Sequence, residues 1–188
     1  MSELLRPLPA NLTIAVMFTT ADEPLKIRQI LADLYGRIDN VSEVFSFSEI
    51  SPYYDPEMGS GIKKVIYSFE KPVERDFLIN VKIECDRIEK EFSVNGKRTV
   101  NLDPGLISLE NFILSTGKNY SHRIYLGQGV YGEVTLMFGK KGEIKELPWT
   151  YRDYLYQPAK DFLLATRELY RKKRETLIKK SFRNGGID

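Results

Sequence analysis

The alternation of apolar and polar residues in the first part of the chain predicts a strand followed by a helix. Residues 12–19 are mostly apolar and β-branched, which is typical of a buried strand. Asp22, Glu23 and Pro24 then form a helix-start signal, and apolar residues follow at helical spacing. The apolar positions of this helix are Ile27, Ile30, Leu31, Leu34 and Ile38.

The next segments predict a hairpin and a second helix. Residues 41–50 and 62–71 are rich in β-forming residues and are separated by the turn-rich segment 51–61. Apolar residues after Pro72 then fall along one helical stripe. They are Phe77, Val81, Cys85, Ile88 and Phe92. Cys85 is therefore expected to be a small core residue rather than a nucleophile.

A turn at Asn95-Gly96 leads into a further short strand, which ends at a predicted turn over residues 103–105. The order strand, helix, strand, strand, helix, strand is that of a ferredoxin-like split βαβ unit. We therefore predict an α+β fold with an antiparallel sheet and helices packed on one of its faces.

The rest of the chain is predicted to extend this unit within one domain, residues 1–188. Ser108 can cap a short helix over 109–116, and a hairpin with a three-residue loop at 127–129 follows. This register pairs Tyr125 with Tyr131 and Leu126 with Val130. A long basic helix over about 158–182 and a frayed tail over 183–188 complete the prediction.

Composition excludes several classes of site and location. The chain has one cysteine and one histidine, which rules out an internal disulfide and a cysteine-based zinc site. No run of 18 apolar residues is present, and the first residues do not resemble a secretory signal. We therefore expect a cytoplasmic protein with no membrane association.

The net charge of +2 conceals an asymmetry along the chain. Residues 167–188 contain eight Lys or Arg against three Asp or Glu, so they carry about +5, and the remainder carries about −3. Such a helix can bind RNA through its phosphates. The simpler interpretation is a solvated helix end, where cations are favoured by the helix dipole.

Most of the residues that could bind a ligand or transfer a proton lie between Gly96 and Tyr154. Asn101 and Asp103 alternate with apolar residues, so both should project from one face at the end of a strand. With Lys118 and Arg123 nearby they would suit a phosphate or carboxylate ligand. The alternative for Asp103 is that it caps a turn.

The hairpin carries further candidates for proton transfer. His122 is placed at the edge of a mostly apolar face, while Arg123 and Glu133 share the opposite face as a cross-strand ion pair. Asp103, His122 and Glu133 are therefore candidates for acid–base catalysis. A hydrogen-bonded core histidine and a structural ion pair are the alternatives.

The loop at 53–59 adds two acidic residues, Asp55 and Glu57. Together with Asp103 and Glu133 they would form an oxygen-rich Mg²⁺ or Mn²⁺ site if the fold brings them together. Aromatic residues beside these acids suit a nucleobase, or else fasten the segment 148–154 to the sheet. They are Tyr53, Tyr54, Trp149, Tyr151 and Tyr154.

Two glycine-containing strings do not fit known nucleotide motifs. STGK at 115–118 lacks the upstream glycine of a phosphate-binding loop. GQGVYG at 127–132 joins two predicted strands instead of opening a helix after a strand.

Several motifs resemble those of domain-of-unknown-function family 4416, a family of uncharacterised bacterial and archaeal proteins. They are YYDPEMG, GKRTVNLDPG, the run from Lys118 to Gly127, EVTL at 133–136, and PWTYRDY. The resemblance covers nearly the whole chain. It implies no established activity or catalytic residue, and the GTP-binding label of some members has no support from the motifs of this sequence.

Two functions from different classes remain at this stage. The first is an enzyme or binding protein for a small phosphorylated or nucleotide-like ligand, with Asp55 or Glu57 closing over the site. The residues around that site would be Asn101, Asp103, Lys118, His122, Arg123 and Glu133. The second is a noncatalytic module that binds RNA or protein through sheet aromatics and the basic C-terminal helix.

Overall fold

The structure, a computed structural model, describes residues 4–184. Its strands are β1 (Asn11–Phe18), β2 (Ile38–Val41), β3 (Phe45–Ser46), β4 (Lys63–Phe69), β5 (Val100–Ile107), β6 (Asn111–Thr116), β7 (Ile124–Gly127), β8 (Val130–Phe138) and β9 (Ile144–Glu146). Its helices are α1 (Glu23–Tyr35), α2 (Asp55–Met58), α3 (Leu78–Glu91) and α4 (Gln157–Asn184). Short 3₁₀ turns occur at Pro52–Tyr54, Arg75–Phe77 and Arg152–Leu155.

All nine strands belong to one antiparallel sheet. The main order is β2-β4-β1-β5-β6-β8-β7, while β3 pairs with β4 and β9 pairs with β8. The α+β class is therefore confirmed. Within the described residues, no helix is long and apolar enough to span a bilayer.

The sheet is covered on both faces. On one face, α1 and α3 pack against β1, β4 and β5 through a core that includes Ile27, Val81 and Cys85. On the other face, α4 packs through Ala159 and Leu163 against apolar side chains of β5, β6 and β8. Each fully buried leucine or isoleucine contributes about 1.5–3 kcal/mol to folding. The core position predicted for Cys85 is confirmed, since its side chain is fully buried.

The short helix predicted over 109–116 is wrong, because residues 111–116 form β6 and residues 109–110 form the bend before it. The strand pairs with β5 on one side and β8 on the other, which buries Phe112 and Leu114. Ser108 does make capping bonds: its hydroxyl accepts the backbone N–H groups of Glu110 and Asn111 at 3.2 and 3.1 Å. Ser108 therefore caps the short connection between β5 and β6. Pairing with two strands overrides local helix propensity in residues 111–116.

The turn predicted at Asp103-Pro104-Gly105 is also wrong, because β5 continues through it to Ile107. Pro104 lies opposite Ile14 of β1 and Gly105 lies opposite Thr13. A Cβ atom on Gly105 would meet the Ile113 carbonyl oxygen at 2.6 Å. Glycine is therefore required by the close approach of β6 and not by a turn.

The predicted hairpin of β7 and β8 is confirmed with one change of register. Tyr125 pairs with Tyr131 as predicted, but Gly127 instead of Leu126 pairs with Val130. The loop is shortened to Gln128 and Gly129, which both have positive φ, at 52° and 80°. The extra residue in β7 is accommodated by a register shift.

Two other boundaries differ from the prediction. Residues 41–50 do not form one strand, since β2 and β3 are short and residues 47–50 form a bend and a turn. The helix predicted over 158–182 begins at Gln157 and continues to Asn184, so 183 and 184 are helical. The rest of the predicted frayed tail, 185–188, lies outside the described residues.

Candidate functional site

A large cleft lies where β5 and β6 separate, and it has a volume of about 1110 Å³. The two strands pair only from Gly105 to Ile107, and Pro104 has no N–H to donate to β6. The Ser115 hydroxyl donates to the Pro104 carbonyl at 3.0 Å in place of a ladder bond. The pairing thus ends at Pro104, and the sheet opens there.

Side chains of α3 satisfy the backbone of β5 that this opening leaves unpaired. The Leu102 N–H donates to Glu89 Oε1 at 2.7 Å, and Lys82 Nζ donates to the Leu102 carbonyl at 3.3 Å. Lys82 also pairs with Asp86 at 2.8 Å. Burial lowers the pKa of Lys82, but the carboxylates of Asp103 and Glu89 outweigh it and raise the pKa to about 12.

Three further segments complete the walls of the cleft: residues 50–54, residues 114–120 and residues 148–154. The walls carry seven cationic and five acidic side chains, a formal difference of +2. The cations are Lys64, Lys82, Lys90, Arg98, Lys118, Arg123 and Arg152, and the acids are Asp86, Glu89, Asp103, Glu133 and Asp153. This excess of positive charge favours an anionic ligand.

Five of the eight residues predicted as catalytic or ligand-binding line this cleft: Asn101, Asp103, Lys118, Arg123 and Glu133. Asn101 and Asp103 share one face of β5, as predicted, and Asn101 Nδ2 donates to Asp103 Oδ2 at 2.9 Å. Arg98 Nη1 donates to Asn101 Oδ1 at 2.9 Å. The Asp103 carboxylate forms no ion pair with the described side chains, whereas the other acids of the wall each pair directly with a cation. These acids are Asp86, Glu89, Glu133 and Asp153.

Glu133 connects the two loops that flank the cleft. Its side chain is 1% exposed and Oε2 accepts from Arg123 Nε at 2.7 Å. Arg123 in turn donates to the Lys118 carbonyl at 2.9 Å and to the Tyr151 hydroxyl at 2.6 Å. The predicted ion pair is therefore confirmed, and it ties segment 117–123 to segment 148–154.

His122 does not lie on the apolar face predicted for it. Its Nε2 lies 3.0 Å from Glu133 Oε2, and its ring stacks on Trp149 at 4.9 Å and 9°. Trp149 Nε1 donates to the Val134 carbonyl at 2.8 Å. A register shift between β6 and β8 leaves Thr135 without an opposite residue in β6. The shift turns the Glu133 side chain inward, so the side chains of β8 do not alternate between the two faces of the sheet as predicted.

Asp55 and Glu57 lie outside the cleft wall. Asp55 Oδ1 accepts from the Ser48 hydroxyl at 2.7 Å. Glu57 accepts two bonds from Arg98, at 2.6 and 2.9 Å, and this contact lowers the pKa of Glu57. The metal site predicted from these two acids with Asp103 and Glu133 is not assembled: the described residues contain no group of three or more His, Cys, Asp or Glu able to hold an ion.

The aromatic residues do gather at the cleft. Tyr53, Tyr120 and Trp149 are 67%, 65% and 38% exposed. Lys118 Nζ lies 5.5 Å from the centre of the Tyr53 ring, which brings the segment 50–54 against the segment 114–120. Tyr151 is held by Arg123, and burial together with the charge of Glu133 raises its pKa to about 12.

A buried ion pair in the cleft wall was not predicted from the sequence. Lys64 Nζ lies 2.5 Å from Asp153 Oδ2, with side chains 2% and 7% exposed. The same ammonium group lies 4.1 Å from the centre of the Tyr154 ring. The Tyr154 hydroxyl is buried without a hydrogen-bond partner. The only signal in the sequence was a lysine at an otherwise apolar position of β4.

The fold and site define an α+β protein with a polar, aromatic cleft at a split in its sheet. A family model for a domain of unknown function, DUF4416, matches residues 8–170, and the chain belongs to this family. No curated protein and no solved structure matched the chain in the other two comparisons.

Proposed function

We propose that the cleft binds a small phosphorylated or nucleotide-like ligand. The observation that carries this proposal is a set of cationic side chains in the cleft wall that no described carboxylate contacts directly. Lys90, Lys118 and Arg152 line the cleft and form no ion pair with the described carboxylates. A phosphate group would supply the missing negative charge through charge-assisted hydrogen bonds.

The aromatic residues of the cleft support a ligand that also has a flat, apolar part. Tyr53, Tyr120 and Trp149 are exposed at its walls. Stacking of a base on such a ring contributes about 1–3 kcal/mol. The volume of about 1110 Å³ is ample for a nucleotide.

The three residues predicted for acid–base catalysis have different surroundings. Glu133 is occupied by Arg123 and His122, so both Glu133 and His122 suit a positioning role. Asp103 lines the cleft and has only the Asn101 amide as a direct partner. Asp103 is therefore the group that we propose for any proton transfer at this site.

We also propose that residues 11–107 form a ferredoxin-like unit. The support is the strand order β5-β1-β4-β2, with antiparallel neighbours throughout. The helices α1 and α3 pack on the same face of these strands. This is the arrangement expected of a split βαβ unit.

The alternative of RNA binding through α4 has less support. Lys173 donates to the Asn11 side chain at 2.5 Å and pairs with Asp39 at 2.6 Å. Arg171 pairs with Glu168 and Glu175 of its own helix. Several cations of the helix are thus occupied within the protein, which reduces the charge available to an RNA backbone.

A thermal-shift series tests the proposed ligand site. Sugar phosphates, nucleotides and inorganic phosphate are added with and without Mg²⁺, and a ligand that binds only the folded state must raise the melting temperature. Lys118→Met should remove most of this shift because it removes a cation from the cleft. Lys71→Met is the matched control, because Lys71 is an exposed lysine that follows β4 and does not line the cleft. This variant should keep the ligand-induced rise in melting temperature. Equal shifts for both variants, or none with wild type, would contradict the proposal.

A further inference from the structure

The hydroxyl group of Tyr151 carries a proton that no described group of the protein accepts. Arg123 Nη2 donates to this hydroxyl at 2.6 Å. A guanidinium group contains donors only, so the tyrosine oxygen is the acceptor in this bond and its own O–H points away from Arg123. Among the described residues, no carbonyl or side chain accepts that proton. The Tyr151 hydroxyl is therefore a hydrogen-bond donor that a ligand can use.

This donor is accessible from the cleft. Tyr151 lines the cleft wall and is 40% exposed, and its bond with Arg123 lies at an exposed position. Burial, and after it the charge of Glu133, raises the pKa of Tyr151 to about 12, so the hydroxyl keeps its proton at neutral pH. A ligand in the cleft therefore meets a neutral phenol that can donate one hydrogen bond.

Arg123 brings the main chain of Lys118 next to this hydroxyl. Arg123 Nη1 donates to the Lys118 carbonyl at 2.9 Å, while Nη2 of the same group donates to Tyr151. Glu133 Oε2 accepts from Arg123 Nε at 2.7 Å and holds the guanidinium group in place. Because the guanidinium group is planar and rigid, the two groups that it contacts stay side by side in the cleft wall.

The side chain of Lys118 supplies a second donor at this position. Its Nζ lies 5.5 Å from the centre of the Tyr53 ring and forms no ion pair with a described carboxylate. The flexible stem of a lysine lets the ammonium group turn from the ring to a ligand. A charge-assisted hydrogen bond to an anion is a stronger contact than a cation–π contact at an exposed site.

Two donors without a free acceptor beside them favour an oxyanion. The two acceptors in contact with Arg123 that lie beside these donors, the Lys118 carbonyl and the Glu133 carboxylate, are both occupied by the guanidinium group. A phosphate group has three strong acceptor oxygens, so it can accept from Tyr151 and Lys118 at the same time.

We propose that Tyr151 and Lys118 form the phosphate subsite of the cleft, in which the Tyr151 hydroxyl and the Lys118 ammonium group donate to one terminal phosphate of the ligand. This inference rests on the proposed function, because it locates the phosphate of that ligand. It goes beyond the proposed function by making an uncharged side chain, Tyr151, necessary for recognition of the phosphate.

Isothermal titration calorimetry with adenosine monophosphate and adenosine tests the subsite. The ratio of their dissociation constants reports the contribution of the phosphate, because stacking of the base is common to both ligands. Tyr151→Phe should reduce this ratio about tenfold, since it removes one hydrogen bond to a charged group and leaves the net charge unchanged. Lys118→Met should reduce the ratio by at least the same factor, and the affinity for inorganic phosphate should fall in both variants.

Tyr125→Phe is the matched control. The Tyr125 hydroxyl also accepts one hydrogen bond, from the Gly129 N–H at 3.3 Å, but Tyr125 does not line the cleft. This variant should leave the ratio unchanged. Wild-type protein labelled with ¹³C at tyrosine Cζ provides a test that needs no variant, because inorganic phosphate should shift the Tyr151 resonance and leave the Tyr125 resonance in place.

The outcomes separate this proposal from the proposed function. If neither inorganic phosphate nor adenosine monophosphate binds the wild-type protein, the proposed function fails and the subsite fails with it. If both bind but Tyr151→Phe keeps the ratio, the subsite is wrong although the cleft binds phosphate, and a lowered ratio in Arg152→Met would place the phosphate elsewhere in the wall.

Two further results would also contradict the subsite. If Tyr151→Phe weakens adenosine as much as adenosine monophosphate, the variant disturbs the whole cleft and Tyr151 makes no specific bond to the phosphate. Succinate, titrated in parallel, separates a carboxylate from a phosphate. Binding of succinate that depends on Tyr151, without such binding of inorganic phosphate, would show that the subsite takes a carboxylate instead.

Discussion

Replacing Asp153 with asparagine should destabilise the protein strongly, because it leaves the Lys64 ammonium group buried without a counter-charge. The two side chains are 7% and 2% exposed, and the distance from Nζ to Oδ2 is 2.5 Å. The ring of Tyr154 remains 4.1 Å away and offers partial cation–π compensation. Asp153→Asn changes the charge of the pair with little change in side-chain volume.

The expected loss follows from the burial of the pair. Removing one partner of a buried ion pair costs about 3–5 kcal/mol, whereas an exposed pair contributes about 0–1 kcal/mol. The free energy of unfolding falls with urea at about 2–3 kcal/mol per molar for a chain of this size. Asp153→Asn should therefore lower the urea midpoint by about 1–2 M.

Urea denaturation followed by circular dichroism provides the assay, with Lys64→Met and the double variant completing the cycle. The double variant removes both charges, so it should recover most of the stability lost by Asp153→Asn. Arg37→Met breaks the exposed pair with Glu70, whose side chains are 73% and 48% exposed, and serves as the control. The reasoning would be refuted if Asp153→Asn cost no more than Arg37→Met.

Three other predictions concern the sheet opening and the cleft walls. Gly105→Ala should cost about 1–3 kcal/mol in urea denaturation, because its Cβ would meet a carbonyl oxygen at 2.6 Å, while Gly117→Ala, with nothing within 4 Å, should not. Glu133→Gln should lower stability by about 1–3 kcal/mol by weakening the bond from Arg123, and unchanged stability would contradict this role. Tyr151, whose pKa is raised from 10.0 to about 12, contributes stability that is present below pH 10 and lost as the pH rises to about 12. Ultraviolet titration should show that Tyr151→Phe removes one late-ionising tyrosine, and an unchanged titration would contradict it.

The helices of the first half were predictable because their local signals agree with their tertiary packing. The stripe through Val81, Cys85 and Ile88 is buried against the sheet as its spacing indicates. The helix start before Pro24 is likewise where the sequence places it, since α1 begins at Glu23. Where the local pattern and the long-range contacts agree, the sequence alone is sufficient to predict the helix.

Local signals failed where strand pairing decides the structure. Ser108 and Pro104 both carry ordinary signals for a cap or a turn, yet both lie in or beside strands of the sheet. The proline is tolerated because β6 does not pair with β5 at that position. The same interruption creates the cleft, and it depends on contacts that no local window contains.

The candidate site was predictable in part. Asn101 and Asp103 share a face through strand periodicity, and Arg123 meets Glu133 across the hairpin. Tyr154 and its contact with Lys64 were not predictable, because residues 64 and 154 are distant in the chain and only the fold joins them. Sequence periodicity locates residues on one element, but it does not locate partners on another.

Nuclear magnetic resonance titration is the most direct test of the cleft as a ligand site. Backbone amide shifts are recorded while a ribonucleoside monophosphate is added to the full-length protein. Our account predicts that the changes concentrate in residues 50–54, 114–123 and 148–154, the segments that surround the cleft. Changes confined to the exposed face of α4 around residues 171–179, with the cleft segments unaffected, would contradict it.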